Sequence, residues 1–146
     1  MTSAARLDDI EAIKQLKARY FRMMDTKDWA GLATVFAADA QIDMTGEGAR
    51  AIQTLDEFLP FLRSSVGAAV TVHHGHMPEI VVTSDDEAAG IWAMEDELWF
   101  PDGSPVRHLH GYGHYHETYR RVGGAWAITS MRLSRLRRDI DFASGA

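Results

Sequence analysis

The 146-residue chain contains no cysteine. That excludes disulfides, thiolate zinc sites, iron–sulfur clusters and thiol nucleophiles together. No apolar run approaches the ~20 residues that a membrane-spanning helix needs. The opening Met1-Thr2-Ser3-Ala4-Ala5-Arg6 has none of the apolar core of a secretory signal, which predicts an unprocessed, cytoplasmic protein. Gly-x-Gly-x-x-Gly and Walker-type loops are missing, which argues against nucleotide binding. So is the Gly-x-Ser-x-Gly elbow, and the serines have no obvious histidine partner.

Positive charge is scarce as well. Fifteen Lys and Arg face 21 Asp and Glu, a formal net charge of −6, without the broad basic face of a nucleic-acid binder. The local exception is Arg132, Arg135, Arg137 and Arg138. These are expected at a solvated or subunit-facing strand end, with Arg135 or Arg137 within reach of an anionic group on a ligand.

What is present is the composition of an ordinary globular protein, 46% hydrophobic and 25% charged. The length suits one domain, residues 1–146 with about 5–140 as its folded core. Leu7, Ile10, Ile13, Leu16, Tyr20 and Met24 recur at steps of three or four, the stripe of an amphipathic helix. Asp28 is placed to cap a second short helix carrying Trp29, Leu32, Val35 and Phe36. A short strand over 41–45 and a loop at Gly46 and Gly48 follow. Thr54-Leu55-Asp56-Glu57 has the form of a capping box, and Pro60 inside the helix it starts predicts a kink or two short pieces.

From Val70 the period changes to two. Four stretches rich in β-branched and aromatic residues, roughly 70–83, 88–100, 106–121 and 125–137, are separated by short turn sequences that favour antiparallel neighbours. Helices followed by a meander of long strands make an α+β fold, one curved sheet wrapped around the N-terminal helices as a cone with an interior pocket.

Four residues stand out as carriers of acid–base chemistry. Tyr20 lies on the buried stripe of the first helix, and Asp25 ends that helix, where the dipole disfavours an acid. In Val72-His73-His74-Gly75-His76, strand alternation puts His73 on one face and His74 with His76 on the other. Asp96 alternates into a set with Trp92, Met94 and Leu98, so it is buried and needs a partner. His73 on the preceding strand is the expected partner, its tautomer held by Asp96. A register slip of one residue would bring in His74 instead. Phe58, Trp92, Met94 and Trp99 are expected to line the pocket, with His74, His110 and Arg135 also facing substrate. Three His-x-His pairs suggest a metal cage, but Glu79 follows His76 one residue short of the cupin spacing, and cupins are all-β. No metal and no cofactor are expected.

The chain resembles the SnoaL-like branch of the nuclear transport factor two-like superfamily. The resemblance is carried by Ala18-Arg19-Tyr20-Phe21, Asp25-Thr26-Lys27-Asp28-Trp29, Val72-His73-His74, the strand Gly111-Tyr112-Gly113-His114-Tyr115-His116-Glu117-Thr118-Tyr119 and Gly123-Gly124-Ala125-Trp126. It implies a cystatin-like α+β barrel with a curved, mixed sheet, and a homodimer or homotrimer. Scytalone dehydratase and the bile-acid 7α-dehydratases are similar in layout, and Tyr20, Asp25, His73 and Asp96 stand at matching positions. Diarylpropane formaldehyde lyases are similar in fold and size. The resemblance implies a cofactor-independent lyase, of the dehydratase or retro-aldol type, acting on an apolar ring-bearing hydroxy or carbonyl compound. His73 would act as base, and Tyr20, tuned by Asp25, would bind the oxygen that gains charge. The alternatives are an isomerase or cyclase of a steroid- or polyketide-like substrate and a small-ligand-binding protein without chemistry.

Overall fold

The first helix, α1 (Ser3–Asp25), starts at Thr2, whose side chain accepts the Ala5 N–H. In the computed structural model, which describes residues 2–144, its buried face is Ile13, Leu16, Lys17, Tyr20, Phe21 and Met24. Leu7, the first residue of the expected stripe, overhangs the core and is exposed. The helix ends in a Schellman turn. Asp28 N–H reaches the Met23 carbonyl, Lys27 N–H reaches that of Met24, and Lys27 takes the left-handed conformation at φ 61°. A lysine at this glycine-favoured position fixes the stretch that carries Asp25.

Helix α2 is short, Trp29–Ala33, capped by Asp28, whose carboxylate accepts the Gly31 N–H. Val35 and Phe36, expected on this helix, lie beyond it, and Phe36 already begins strand β1 (Phe36–Asp43). A 3-10 turn (Thr45–Glu47) and the two-residue strand β2 (Gln53–Thr54) lead to α3 (Leu55–Val66). The Glu57 carboxylate accepts the Thr54 N–H, closing the capping box. Pro60 neither breaks nor divides α3. It removes a single bond, the one residue 60 would give the Asp56 carbonyl, and the turns on either side carry the helix through.

Strands β3 (Val70–Val82), β4 (Glu87–Trp99), β5 (Val106–Val122) and β6 (Ala125–Phe142) form the meander. The six-stranded sheet has the order β2-β1-β6-β5-β4-β3. Among the described residues only β1 and β6 pair in parallel; the rest of the ladder is antiparallel, so the sheet is mixed. Its inner face packs on α1, α2 and α3, the α+β cone anticipated from the helix-then-strand pattern.

Two of the sheet's register shifts decide which residues of β3 and β6 face inward near the site. In β3 the register shifts between His76 and Glu79, so Thr71, His73 and Gly75 face in before it, and Ile80 and Val82 after it. In β6 Leu136 is the extra residue opposite the Tyr112–Gly113 step. Leu133 and Arg135 face in before it, and Arg138 after it. Both arginines therefore meet the same cavity. Among the described residues no helix is long and apolar enough to cross a membrane.

Candidate active site

A cavity of about 290 Å³ lies between the inner face of the sheet and the helices. Tyr20, His73, Asp96, Tyr115 and Arg135 line it with polar atoms, joined at the rim by Glu47, Ser65 and Arg138, and Met24, Phe61, Leu98 and Leu133 form part of its apolar wall. That is the small end of the usual ligand-pocket range, about 300–1,000 Å³. A larger groove of about 490 Å³ crosses the outer face of the sheet past Gln41, Ile91 and Arg132. It is open to solvent, and although His116 lines it with Asp43 and Glu79, that imidazole bonds to Ser134 and to no carboxylate among the described residues, so the inner cavity is the candidate site.

Asp25 is the hub of one end. Its carboxylate accepts three hydrogen bonds: from His73 Nδ1 at 2.6 Å, from the His73 backbone N–H at 2.8 Å and from Thr71 Oγ1 at 2.9 Å. These donors offset the unfavourable helix C-terminus on which the acid stands. Lys27, turned back by its left-handed backbone, donates to Thr71 Oγ1 at 2.8 Å. A carboxylate only accepts, so His73 Nδ1 carries a proton, and in the neutral imidazole Nε2 holds the lone pair. Nε2 has no protein hydrogen bond among the described residues, and an Asp96 oxygen lies 3.9 Å from it. The imidazole stacks on Phe21, with ring centroids 6.3 Å apart and planes at 16°. Its orientation is thus set from two sides.

Asp96, in the middle of β4, is buried and held in a two-pronged ion pair. Arg135 Nη1 and Nη2 donate to its two oxygens at 2.7 and 2.8 Å. Arg135 also donates to Glu47, from the turn after β1, and Arg138 lies 3.5 Å from Glu47. Burial pulls the Arg135 guanidinium down, but Asp96 and Glu47 outweigh it and raise its pKa, so it stays charged. Gly111, opposite Asp96 across the ladder, makes room for the pair. A Cβ there would sit 2.4 Å from Arg135 Nη1 and 2.6 Å from Asp96 Oδ1.

Tyr20 and Tyr115 form the floor, their rings edge to face at 5.9 Å. Burial, and then the charges of Glu117, Asp25 and Asp96, push the Tyr20 hydroxyl far above the usual phenol range, against the opposing contact from Tyr115. Burial raises Tyr115 in the same way. Both are hydrogen-bond donors rather than bases at any ordinary pH.

The structure thus brings Tyr20, His73, Asp96 and Arg135 to one cavity, with Asp25 behind His73. It corrects the expected pairings. Asp25, not Asp96, binds the imidazole, because α1 ends directly over β3; among the described residues Asp25 bonds to His73 and Thr71 and not to Tyr20; and Asp96 is taken by Arg135. It also relocates several expected pocket residues. Phe58 is packed in the core against Phe36, away from the cavity lining. Trp92 is buried with its Nε1 donating to Tyr119, and Met94 Sδ lies against Arg135 Nη1 behind the lining. Trp99 is exposed. His74 is exposed on the outer face beside His76, and His110 on that face pairs with Glu95 at 2.7 Å. That hydrogen bond raises the His110 pKa. Among the described residues no group of three His, Asp or Glu could hold a metal ion.

Residues 5–132 match the family model of the SnoaL-like domain, and the chain belongs to that family. "Probable cyclase FGR4" of Gibberella zeae is 25% identical over 133 residues, covering 85% of this chain and 89% of that protein. Two crystal structures show the same fold. A Novosphingobium aromaticivorans protein, provisionally named scytalone dehydratase, aligns with TM-score 0.84 at 20% identity over 99% of this chain and 95% of that one. The hexachlorocyclohexane dehydrochlorinase LinA-type3 of Novosphingobium barchaimii aligns with TM-score 0.80 at 18% identity over 99% and 97%.

Proposed function

We propose that this SnoaL-like protein is a cofactor-independent lyase that acts by general acid–base catalysis on an apolar, ring-bearing hydroxy-carbonyl compound. The observation that carries the reading is the 2.6 Å contact between Asp25 and His73 Nδ1, which turns Nε2 toward the cavity as the base of the neutral imidazole. The dehydratase and dehydrochlorinase names of structural neighbours and the cyclase name of the Gibberella protein fit the same opening step, removal of a proton from carbon.

In this reading His73 Nε2 takes the proton beside the substrate carbonyl. The electron pair of that C–H bond moves toward the carbonyl oxygen, which accepts hydrogen bonds from Tyr20 and Tyr115 as it gains charge. Asp25 stabilises the imidazolium through Nδ1, and the Asp96 carboxylate, paired with Arg135, adds a second negative charge at 3.9 Å from Nε2. The enolate then expels the β-hydroxyl, which takes the proton back from His73 and leaves as water. Proton transfer of this kind contributes about 10²–10⁴-fold. Returning the proton to a different carbon would instead give an isomerase, and attack of the enolate on a second carbonyl a cyclase.

The test is incubation with a panel of ring-bearing β-hydroxy ketones in D₂O, followed by proton NMR. Deuterium entry at the α-carbon or formation of an enone, absent with His73→Ala, supports the reading. A panel untouched by the wild-type protein, while the same compounds bind, would turn it toward a ligand-binding role.

A further inference from the structure

Lys17 takes no part in the chemistry above, yet it is fully buried on α1 directly beneath the tyrosine floor. Its Nζ lies 2.7 Å from Glu117 Oε2, and neither side chain has any exposure. The other Glu117 oxygen accepts the Tyr119 hydroxyl at 2.8 Å, and that hydroxyl accepts Trp92 Nε1 at 3.0 Å. Away from Glu117, the ammonium faces rings. It stands 3.6 Å from the Tyr115 centroid, 3.8 Å from that of Tyr20 and 4.9 Å from that of Phe21. Met131 Sδ lies 3.8 Å away.

Packing alone does not call for a charge here. A leucine or methionine would fill the same stripe position without the desolvation that an ion pair carries. The distinctive consequence of the ammonium is electrostatic. It lies over the faces of two phenol rings, where the ring quadrupole is negative. As a phenol gives its proton into a hydrogen bond, negative charge spreads into the ring, and the attraction to Nζ grows.

We propose that Lys17 is a positioning residue for the reaction inferred above: its ammonium clamps the Tyr20 and Tyr115 rings and makes their hydroxyls stronger hydrogen-bond donors to the substrate oxygen. It works against Glu117, Asp25 and Asp96, which disfavour charge on Tyr20, and alongside Arg135, which favours it on Tyr115. The catalytic half of this statement rests on the acid–base reading; the electrostatic half does not.

The experiment uses the whole protein labelled with ¹³C at tyrosine Cζ and ¹⁵N at lysine Nζ, the four tyrosines being assigned by single Phe substitutions. Burial lowers the Lys17 pKa to about 8 despite Glu117. The Tyr20 and Tyr115 resonances should move together as Lys17 Nζ titrates, while exposed Tyr112 does not. Lys17→Met, or Lys17→Met/Glu117→Gln if the single variant fails to fold, should abolish that inflection, and Lys17→Arg should hold the charged-state shifts throughout. Tyrosine resonances that ignore a titrating Lys17 overturn the proposal. If Lys17 never titrates, identical Tyr20 and Tyr115 shifts in wild type and Lys17→Met overturn it equally. With a turned-over substrate in hand, Lys17→Met should lower kcat with little change in KM, and Lys17→Arg should restore it. Coupled resonances with an unchanged kcat would remove the positioning role and leave the His73 chemistry standing, whereas activity surviving His73→Ala would remove that chemistry and leave the resonances coupled.

Discussion

Asp25 closes α1 over β3 and takes both the Nδ1 proton and the backbone N–H of His73, at 2.6 and 2.8 Å. One carboxylate therefore fixes the position of the residue and the tautomer of its ring. Asp25→Asn keeps the size but not the charge that stabilises an imidazolium. Turnover should fall about 10²- to 10⁴-fold, in kcat more than in KM. Steady-state kinetics on a compound found in the D₂O screen checks this, and a change confined to KM would count against it.

The Asp96–Arg135 pair depends on the missing side chain of Gly111. With 2.4 Å to Arg135 Nη1 and 2.6 Å to Asp96 Oδ1, a methyl group at that site forces the pair apart. Gly111→Ala should lose about 1–3 kcal/mol of stability in denaturant unfolding, the range for overpacking, and should lower turnover as well. A variant of wild-type stability would show that the pair has room to move.

The buried Lys17–Glu117 pair makes stability depend on pH with a sign that can be worked out. The folded pKa of Lys17 is lowered to about 8 from 10.5. Between those values the unfolded chain holds more protons than the folded one, so this group makes stability rise with pH. Above about 10 the buried tyrosines act in the opposite sense, because their hydroxyls stay protonated in the folded state only. The window is therefore about pH 8–10, and urea midpoints across it should climb in wild type relative to Lys17→Met. Equal slopes would contradict the lowered pKa. Removing one partner alone, as in Glu117→Ala, leaves a buried ammonium without its carboxylate and should cost about 3–5 kcal/mol.

His74 and His110 lie on the far side of the sheet from the cavity, His110 paired with Glu95. His74→Ala and His110→Ala should leave turnover unchanged, while His73→Ala abolishes it. Loss of activity in either outer-face variant would mean that the chemistry sits on the wrong face in this account.

Much of the architecture is legible in the sequence because it follows from period. The three-to-four spacing on α1 and the alternation from Val70 onward dictate a helix layer under a long-stranded sheet. Parity puts His73 and His74 on opposite faces and Asp96 with Trp92, Met94 and Leu98, and the register with β4 then turns His73 inward. What parity cannot supply is contact between elements distant in the chain. His73 and Asp96 are direct cross-strand neighbours, yet the imidazole bonds to an acid 48 residues earlier, because α1 docks across β3. Nothing local singles out Lys17 or Thr71 as part of the site. The alternation Gly111-x-Gly113-x-Tyr115-x-Glu117-x-Tyr119 does carry a signal, two small residues and then three polar-tipped ones on a single inward face. Glu47 comes from a loop whose path over Arg135 has no local signature. Phe58 and Trp92 show the converse, since an inward-facing aromatic belongs to the packed core unless the cavity happens to reach it.

Chemical rescue tests the central claim most directly. His73→Gly should lose α-proton exchange on a substrate of the wild-type protein by at least about 100-fold, and added imidazole should restore it in the presence of Asp25 but not in the Asp25→Asn/His73→Gly double variant. Exchange that persists in His73→Gly without imidazole would show that some other group removes the proton.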